Sequence, residues 1–421
     1  MTSPTALFDT LDNVVELYQE RLQQGSNASI ERWLSTTPHL PEFAVMDYQQ
    51  VLLFLYSYRG SQDTFNAYRR ELERLLQWSW WVKKQSLMSL QRLDIEAFIE
   101  FCADPPLTWI GSKTVQRFFL RDGVRVPNPE WRPFNVKVSK TQHTAGITRS
   151  TSSFSLSQTG LRSIFAVLGS FYDFLQQEDK VAVNPVSQIR QKSKFLQKQS
   201  HATPVRRLSP SQWNMVISVA EQLAADDSRH ERTLFMLQAL YGMYLRISEL
   251  AATPRWTPMM RDFFRDVHGN WWFQTVGKGN KQRQVAVSDA LLLALKRWRA
   301  HLELSPLPAP DEQNPLIPRQ QGKGPISSTR AIRQIVQECF DVAVTRLRQQ
   351  GDEEEANLLA AATVHWLRHT GISDDVQNRP REHVRDDAGH STSAITDRYV
   401  DVELTERHAS AKQKKLREKE D

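Results

Sequence analysis

Residues 231–252 read ERTLFMLQALYGMYLRISELAA, and residues 266–287 read DVHGNWWFQTVGKGNKQRQVAV. The first stretch is apolar on most faces, the mark of a buried helix. The second breaks that period with a His-Gly-Asn turn, an aromatic run, a Gly-Lys-Gly-Asn turn and then alternating Val285 and Val287. It predicts a small antiparallel sheet set into a helical domain. Helices resume on both sides. LSPSQWNMVISVAEQLA offers Ser209 as an N-cap with Pro210 at the first helical position. Further helices are expected over 291–302, over 328–350 and after Asp352.

Upstream, the pattern is helical over 63–84, again from about Leu93 until Pro105 and Pro106 stop it, and over 157–179. In the last of these, Leu161, Ile164, Phe165, Leu168, Phe171 and Phe174 share one face. The first forty-five residues read as a small helical piece broken by Pro38 and Pro41. A Pro-, Ser- and Thr-rich loop is expected over 124–156, long enough to be functional or flexible. The fold class expected is mainly α with a small antiparallel β-sheet (α+β).

At 421 residues, with two or three domains expected, the chain can bury full cores. Its two cysteines, Cys102 and Cys339, cannot make a disulfide framework or a Cys-based zinc site, and they suit a reducing compartment. No apolar run approaches the ~18 residues of a membrane span, and residues 1–20 lack the pattern of a secretory signal. Charge is more informative. The net charge is +6, and its placement is uneven. Residues 186–207 hold six basic side chains (Arg190, Lys192, Lys194, Lys198, Arg206 and Arg207) and no acidic one. Residues 111–150 hold eight basic and two acidic side chains. One such stretch is commonly a solvated linker. Two in one chain point to nucleic acid.

Several polar residues of the second half are chemically suggestive. Arg246 lies in the apolar 231–252 stretch, read here as helix, with Glu249 three residues on. A buried arginine needs such a partner, and alone the pair reads as structural. His365 and Arg368 in VHWLRHT share a helix face. Lys278 sits at the Gly-flanked turn, His390 follows Gly389, and Tyr399 lies in TDRYV. Singly, each has an ordinary structural explanation. Together they form a set that could work on a phosphodiester. Two guanidiniums grip its oxygens, a tyrosine hydroxyl attacks phosphorus, a lysine protonates the leaving hydroxyl, and histidines assist proton transfer.

The order Arg…Lys…His-x-x-Arg…His…Tyr resembles the tyrosine recombinases, the phage integrase family. The resemblance is carried by YGMYLRISEL, VGKGNKQRQVAV, HWLRHT and GHSTSAITDRYV. It covers about 207–405, and less firmly 46–190. It implies Tyr399 as the nucleophile of a 3′-phosphotyrosine link, and Arg246 and Arg368 as phosphate ligands. Lys278 becomes the general acid, with Lys281 as its rival. His365 becomes a general base or hydrogen-bond partner of the phosphate. His390 supports the transition state, and Glu249 orients its neighbours. The sequence departs from the family pattern in the charged SDDVQNRPREHVRDDA over 373–388, in Ala388, and in Ser393-Ala394.

The resemblance further implies a two-domain DNA clamp. Its parts would be a helical, SAM-like core-binding domain (46–190) with an insertion near 124–156 and a basic linker (191–206), preceded by the N-terminal helical extension (1–45) that periodicity alone suggests. The catalytic domain (207–421), with a basic tail, would complete it. Double-stranded DNA would be the partner, bound in part by Arg190, Lys192, Lys194, Lys198, Arg206 and Arg207. A homotetramer would act on synapsed DNA, possibly with an accessory or directionality factor. No metal, cofactor, ATP or membrane is expected. The setting expected is cytoplasmic and nucleoid-associated, in a bacterium, phage or mobile element. Two alternatives stand beside this: a DNA-binding protein without catalysis, and a type IB topoisomerase-like or hairpin-telomere-forming enzyme with the same residues.

Overall fold

The computed structural model describes residues 4–20, 28–136, 150–151, 154–190, 195, 206–254, 256–277, 280–397, 399 and 411–412, without the side chains of 17–20, 190 and 394. The chain divides into two units, Met1–Gln199 and Ser200–Asp421. Both are mainly helical; the second holds the small antiparallel sheet that the sequence predicts, and the first has two short strand pairings that it does not.

The first unit is built on Ala44–Ser57, Gln62–Trp78, Arg92–Ala103 and Gln158–Gln177. Its caps follow the sequence. The Ser157 hydroxyl accepts from the Gly160 N–H at 3.1 Å, and Ser61 likewise accepts from Thr64. Phe54 lies at the centre, ringed by Tyr58, Tyr68, Phe171 and Phe174. The amino-terminal segment belongs to the same core: Ala6, Leu7, Phe8, Leu11, Val14, Ile30 and Leu34 are buried in it. Polar ties fix it there, for Glu73 accepts from the Leu7 N–H at 2.6 Å and Gln77 from the Thr5 N–H at 2.8 Å. Helix 63–84 ends earlier than its periodicity predicts, because Ser79–Lys83 widens into a π-turn and Lys84 turns left-handed.

The stretch expected as a loop from 124 begins instead as a β-strand. Val124–Pro127 pairs antiparallel with Phe118–Arg121. The two residues between the strands, Asp122 and Gly123, both have positive φ, 50° and 76°. Such a turn matches the twist of paired strands, and Asp-Gly adopts it readily. A second pairing, Ile110–Gly111 with Phe134–Asn135, is parallel. Residues 137–149 of the expected insertion lie outside the described residues.

In the second unit Glu231–Gly242 is the central helix, packed by Pro210–Asp226, Asp289–His301, Thr329–Gln349 and Val364–Asn378. Ser209 makes the expected cap, closing a reciprocal box with Gln212. The sheet is also as expected: Phe263–Arg265, Trp271–Val276 and Gln282–Ala286 are antiparallel in chain order. One reading needs correction. Residues 231–252 are not one helix. The helix stops at Gly242, Tyr244 takes φ +49°, and a single turn, Ile247–Leu250, follows. Arg246 is therefore the extended residue that starts this turn and does not lie within a helix. Tertiary partners of Tyr244, described below, overrule the local apolar pattern.

Candidate active site

The break at Tyr244 turns Arg246 toward the sheet. Its backbone N–H donates to Glu249 Oε2 and its Nη1 to Oε1, both at 2.8 Å. The same carboxylate accepts a forked pair from Arg283, at 2.6 Å and 2.8 Å. Glu249 is buried, its side chain 1% exposed. Burial alone would raise its pKa, but the bonds and charges of Arg283 and Arg246 prevail and hold it below the ordinary glutamate value. Arg283 reaches this spot because it alternates with Val285 along its strand, both facing inward. The hairpin can approach because residue 277 is glycine: a Cβ there would stand 2.9 Å from Glu249 Oε1 and 3.3 Å from Arg246 Nη1.

Arg368 comes from the opposite wall, on Val364–Asn378, and is 2% exposed. Its Nη1 donates to the Tyr244 carbonyl and its Nη2 to the Ala388 carbonyl at 2.6 Å. Both acceptors are neutral. Burial first, then the charges of Arg246 and Arg283, pull its pKa down to about 9. Three guanidiniums thus face one carboxylate. An entering anion would relieve their repulsion and complete their hydrogen bonds, so the site is suited to a phosphate.

Beside the arginines lie three imidazoles and the tyrosine. Residues 365, 368 and 369 share a face of one helix, and the His365 and His369 rings meet edge to face at 4.4 Å. The Tyr399 hydroxyl lies 2.7 Å from His369 Nδ1. The His390 ring stacks on Tyr399 at 5.7 Å and its Nδ1 bonds Thr396 Oγ1 at 2.9 Å. Tyr399 is 6% exposed. Gly389, left-handed at φ 65°, ends Arg381–Ala388 and turns the chain toward His390. A Cβ there would meet Arg283 Cδ at 2.8 Å.

Burial, with Arg368 and Arg246, lowers the pKa of His365. The same causes, joined by Arg283, push His390 down to about 4. Both rings are therefore neutral at pH 7. The unfolded chain takes up a proton at His390 near pH 6.5, whereas the folded chain resists until about pH 4. Between those values the unfolded state binds more protons, so stability conferred at this site is full above pH 6.5 and declines as pH falls. In melts across that window, His390→Gln should show a shallower decline than wild type. Parallel slopes would refute it.

A charged layer backs the site. The Tyr244 hydroxyl bonds the Asp375 carboxylate, and Arg379 reaches that hydroxyl at 2.9 Å, Asp375 at 3.1 Å and Asp387 at 2.7 Å. Arg283 Nε donates to the Asp387 carbonyl at 2.9 Å. These pairs employ Asp375, Arg379 and Asp387 of the charged 373–388 stretch, whereas its Arg381, Glu382 and Asp386 are exposed.

The site thus brings together Arg246, Glu249, His365, Arg368, His390 and Tyr399 from the sequence reading. Lys278 lies outside the described residues, whereas Lys281 is exposed on the hairpin. Of the basic linker, Lys192, Lys194, Lys198 and the Arg190 side chain lie outside the described residues, Arg206 is exposed and Arg207 half-buried. The sequence reading missed Arg283, His369 and Tyr244. Strand alternation with Val285 could have revealed the first, and the four-residue step from His365 the second.

A model of the phage integrase family matches residues 206–406. Tyrosine recombinase XerC of Pediococcus pentosaceus is 31% identical over 144 residues, 34% of this chain and 42% of that relative. Tyrosine recombinase XerC of Xylella fastidiosa is 24% identical over 355 residues, 83% of this chain and 90% of that relative. The solved structure of the XerH site-specific recombinase, bound to palindromic difH substrate after cleavage, shares the fold. Its TM-score is 0.51 at 14% identity, over 98% of this chain and 99% of that one. Residues 206–406 of the chain are thus similar to the phage integrase family. Both relatives are named tyrosine recombinases.

Proposed function

We propose that this protein is a site-specific recombinase of double-stranded DNA that works through a 3′-phosphotyrosine at Tyr399 and integrates or excises a mobile element. The observation that carries the reading is the meeting of the Tyr399 hydroxyl with the His369 imidazole, under the stacked His390 ring and beside the Arg246–Arg283–Arg368 cluster.

In this mechanism Arg246 and Arg368 hold the non-bridging oxygens of the scissile phosphate, and their charge stabilises the five-coordinate transition state. Glu249 and Arg283 fix Arg246. Tyr399 Oη attacks phosphorus, and the 5′-oxygen leaves with a proton from Lys278, or from its rival Lys281. His365 hydrogen-bonds the phosphate, and neutral His390 supports the tyrosine. The phosphotyrosine bond conserves the energy of the broken one, so rejoining needs no ATP. The basic 191–206 stretch follows the DNA backbone, making binding salt-sensitive. Four subunits act on two duplexes, with an accessory factor setting direction, in the cytoplasm beside the nucleoid. Among the described residues no helix is long and apolar enough to cross a membrane.

Covalent trapping tests the reading. Wild type and Tyr399→Phe are expressed with the DNA that flanks the coding sequence, and the DNA attached to denatured protein is sequenced. Wild type should give adducts at one sharp position, and Tyr399→Phe none. Scattered adducts would indicate a topoisomerase-like enzyme. Binding without adducts would indicate a DNA-binding protein lacking catalysis.

A further inference from the structure

We infer that His369 is the proton acceptor for the Tyr399 hydroxyl, a catalytic residue in its own right. The inference rests on the phosphotyrosine reading above and names the base that reading requires.

A phenol with an ordinary pKa near 10 keeps its proton at neutral pH and is then a poor nucleophile. A base must lie within hydrogen-bond reach of it, about 2.6–3.2 Å. His369 Nδ1 is 2.7 Å from Tyr399 Oη. For the phenol to donate in this bond, Nδ1 must be unprotonated, which is the state of a base. His365 occupies a different position. Its ring packs against His369 at 4.4 Å, one turn back on the same helix and toward Arg246 and Arg368. The helix thus separates two tasks: His365 faces the arginines that hold the phosphate, and His369 meets the nucleophile. Arg368 lies between them in sequence and is fixed by the Tyr244 and Ala388 carbonyls, so the face carrying both rings is anchored.

The step balances. The proton of Tyr399 Oη passes to His369 Nδ1 as the oxygen forms its bond to phosphorus. The bond from phosphorus to the 5′-oxygen breaks, and that oxygen takes a separate proton from the hairpin lysine. In rejoining, the 5′-hydroxyl returns its proton to the lysine and attacks, the phosphotyrosine bond breaks, and His369 gives the phenol its proton back.

The test compares His369→Ala and His369→Asn, each carrying tyrosine or the more acidic 3,5-difluorotyrosine at position 399. An asparagine amide oxygen can accept the same hydrogen bond but cannot take the proton. The probes are duplex DNA flanking the coding sequence and a pool of random-sequence duplexes. Gel shifts establish that each variant still binds. With tyrosine, both variants should form the covalent adduct roughly 10²–10⁴-fold more slowly than wild type. With difluorotyrosine the deficit relative to wild type should shrink, because a more acidic phenol depends less on a base. Recovery of the rate by His369→Asn would overturn the inference and leave His369 as a positioning residue. A deficit unchanged by fluorination, or no deficit, would also overturn it. Absence of an adduct with wild type would overturn the phosphotyrosine reading itself, and the inference with it.

Discussion

Arg368→Ala should lower the rate of covalent adduct formation by about 10²–10³-fold, the usual effect of losing one preorganised donor to a transition-state oxyanion. The residue has a second effect. Its guanidinium satisfies the Tyr244 and Ala388 carbonyls within the protein. An unsatisfied buried acceptor costs about 1–3 kcal/mol, so the variant should also melt earlier. Arg368→Lys separates the two roles. Lysine keeps the charge but cannot fork between two carbonyls and a phosphate. It should recover part of the adduct rate and little of the melting temperature. Adduct formation at the wild-type rate in the alanine variant would remove Arg368 from the chemistry.

Gly371→Ala should be the most damaging single-methyl change in the catalytic unit. A Cβ at 371 would lie inside the contact radius of the Tyr241 carbonyl oxygen, and 3.1 Å from both the Tyr241 carbonyl carbon and the Tyr244 ring. Two of these atoms are backbone, so no side chain can swing away. The helices Glu231–Gly242 and Val364–Asn378 would have to separate. Overpacking of this kind costs about 1–3 kcal/mol or more. Because 365, 368 and 369 ride on the displaced helix, adduct formation should fall with stability. Gly242→Ala is the control, since its Cβ would meet only Leu291 side-chain atoms, at 3.6–3.9 Å. Thermal melts should show a clear loss for the first and little for the second. Equal melting temperatures would show that the crossing is looser than described.

The sequence carried much of this fold because many signals are local. Ser157 and Ser209 cap the helices they precede, and the turns around 269 and 280 separate the strands they appear to separate. Reading failed where distant residues decide. Nothing in YGMYLR announces a left-handed Tyr244. The reason for it lies more than a hundred residues away, in Asp375, Arg379 and Arg368. The same holds for Arg283 and His369. Their types and spacings are visible, but their importance comes from the wall opposite: Glu249 for one, Tyr399 for the other. The Asp122-Gly123 hairpin is a different failure, a local signal passed over inside a basic stretch.

The order of the site's parts along the chain also bears on synthesis. Arg246, Glu249 and Arg283 come first, then Arg368 with its last carbonyl partner at Ala388, and only after the Gly389 turn does Tyr399 follow. On the proposed mechanism, a chain emerging from the ribosome therefore acquires the groups assigned to the phosphate before the one assigned to attack it. On the same mechanism, a growing molecule whose final strip has not docked lacks its nucleophile and cannot break DNA.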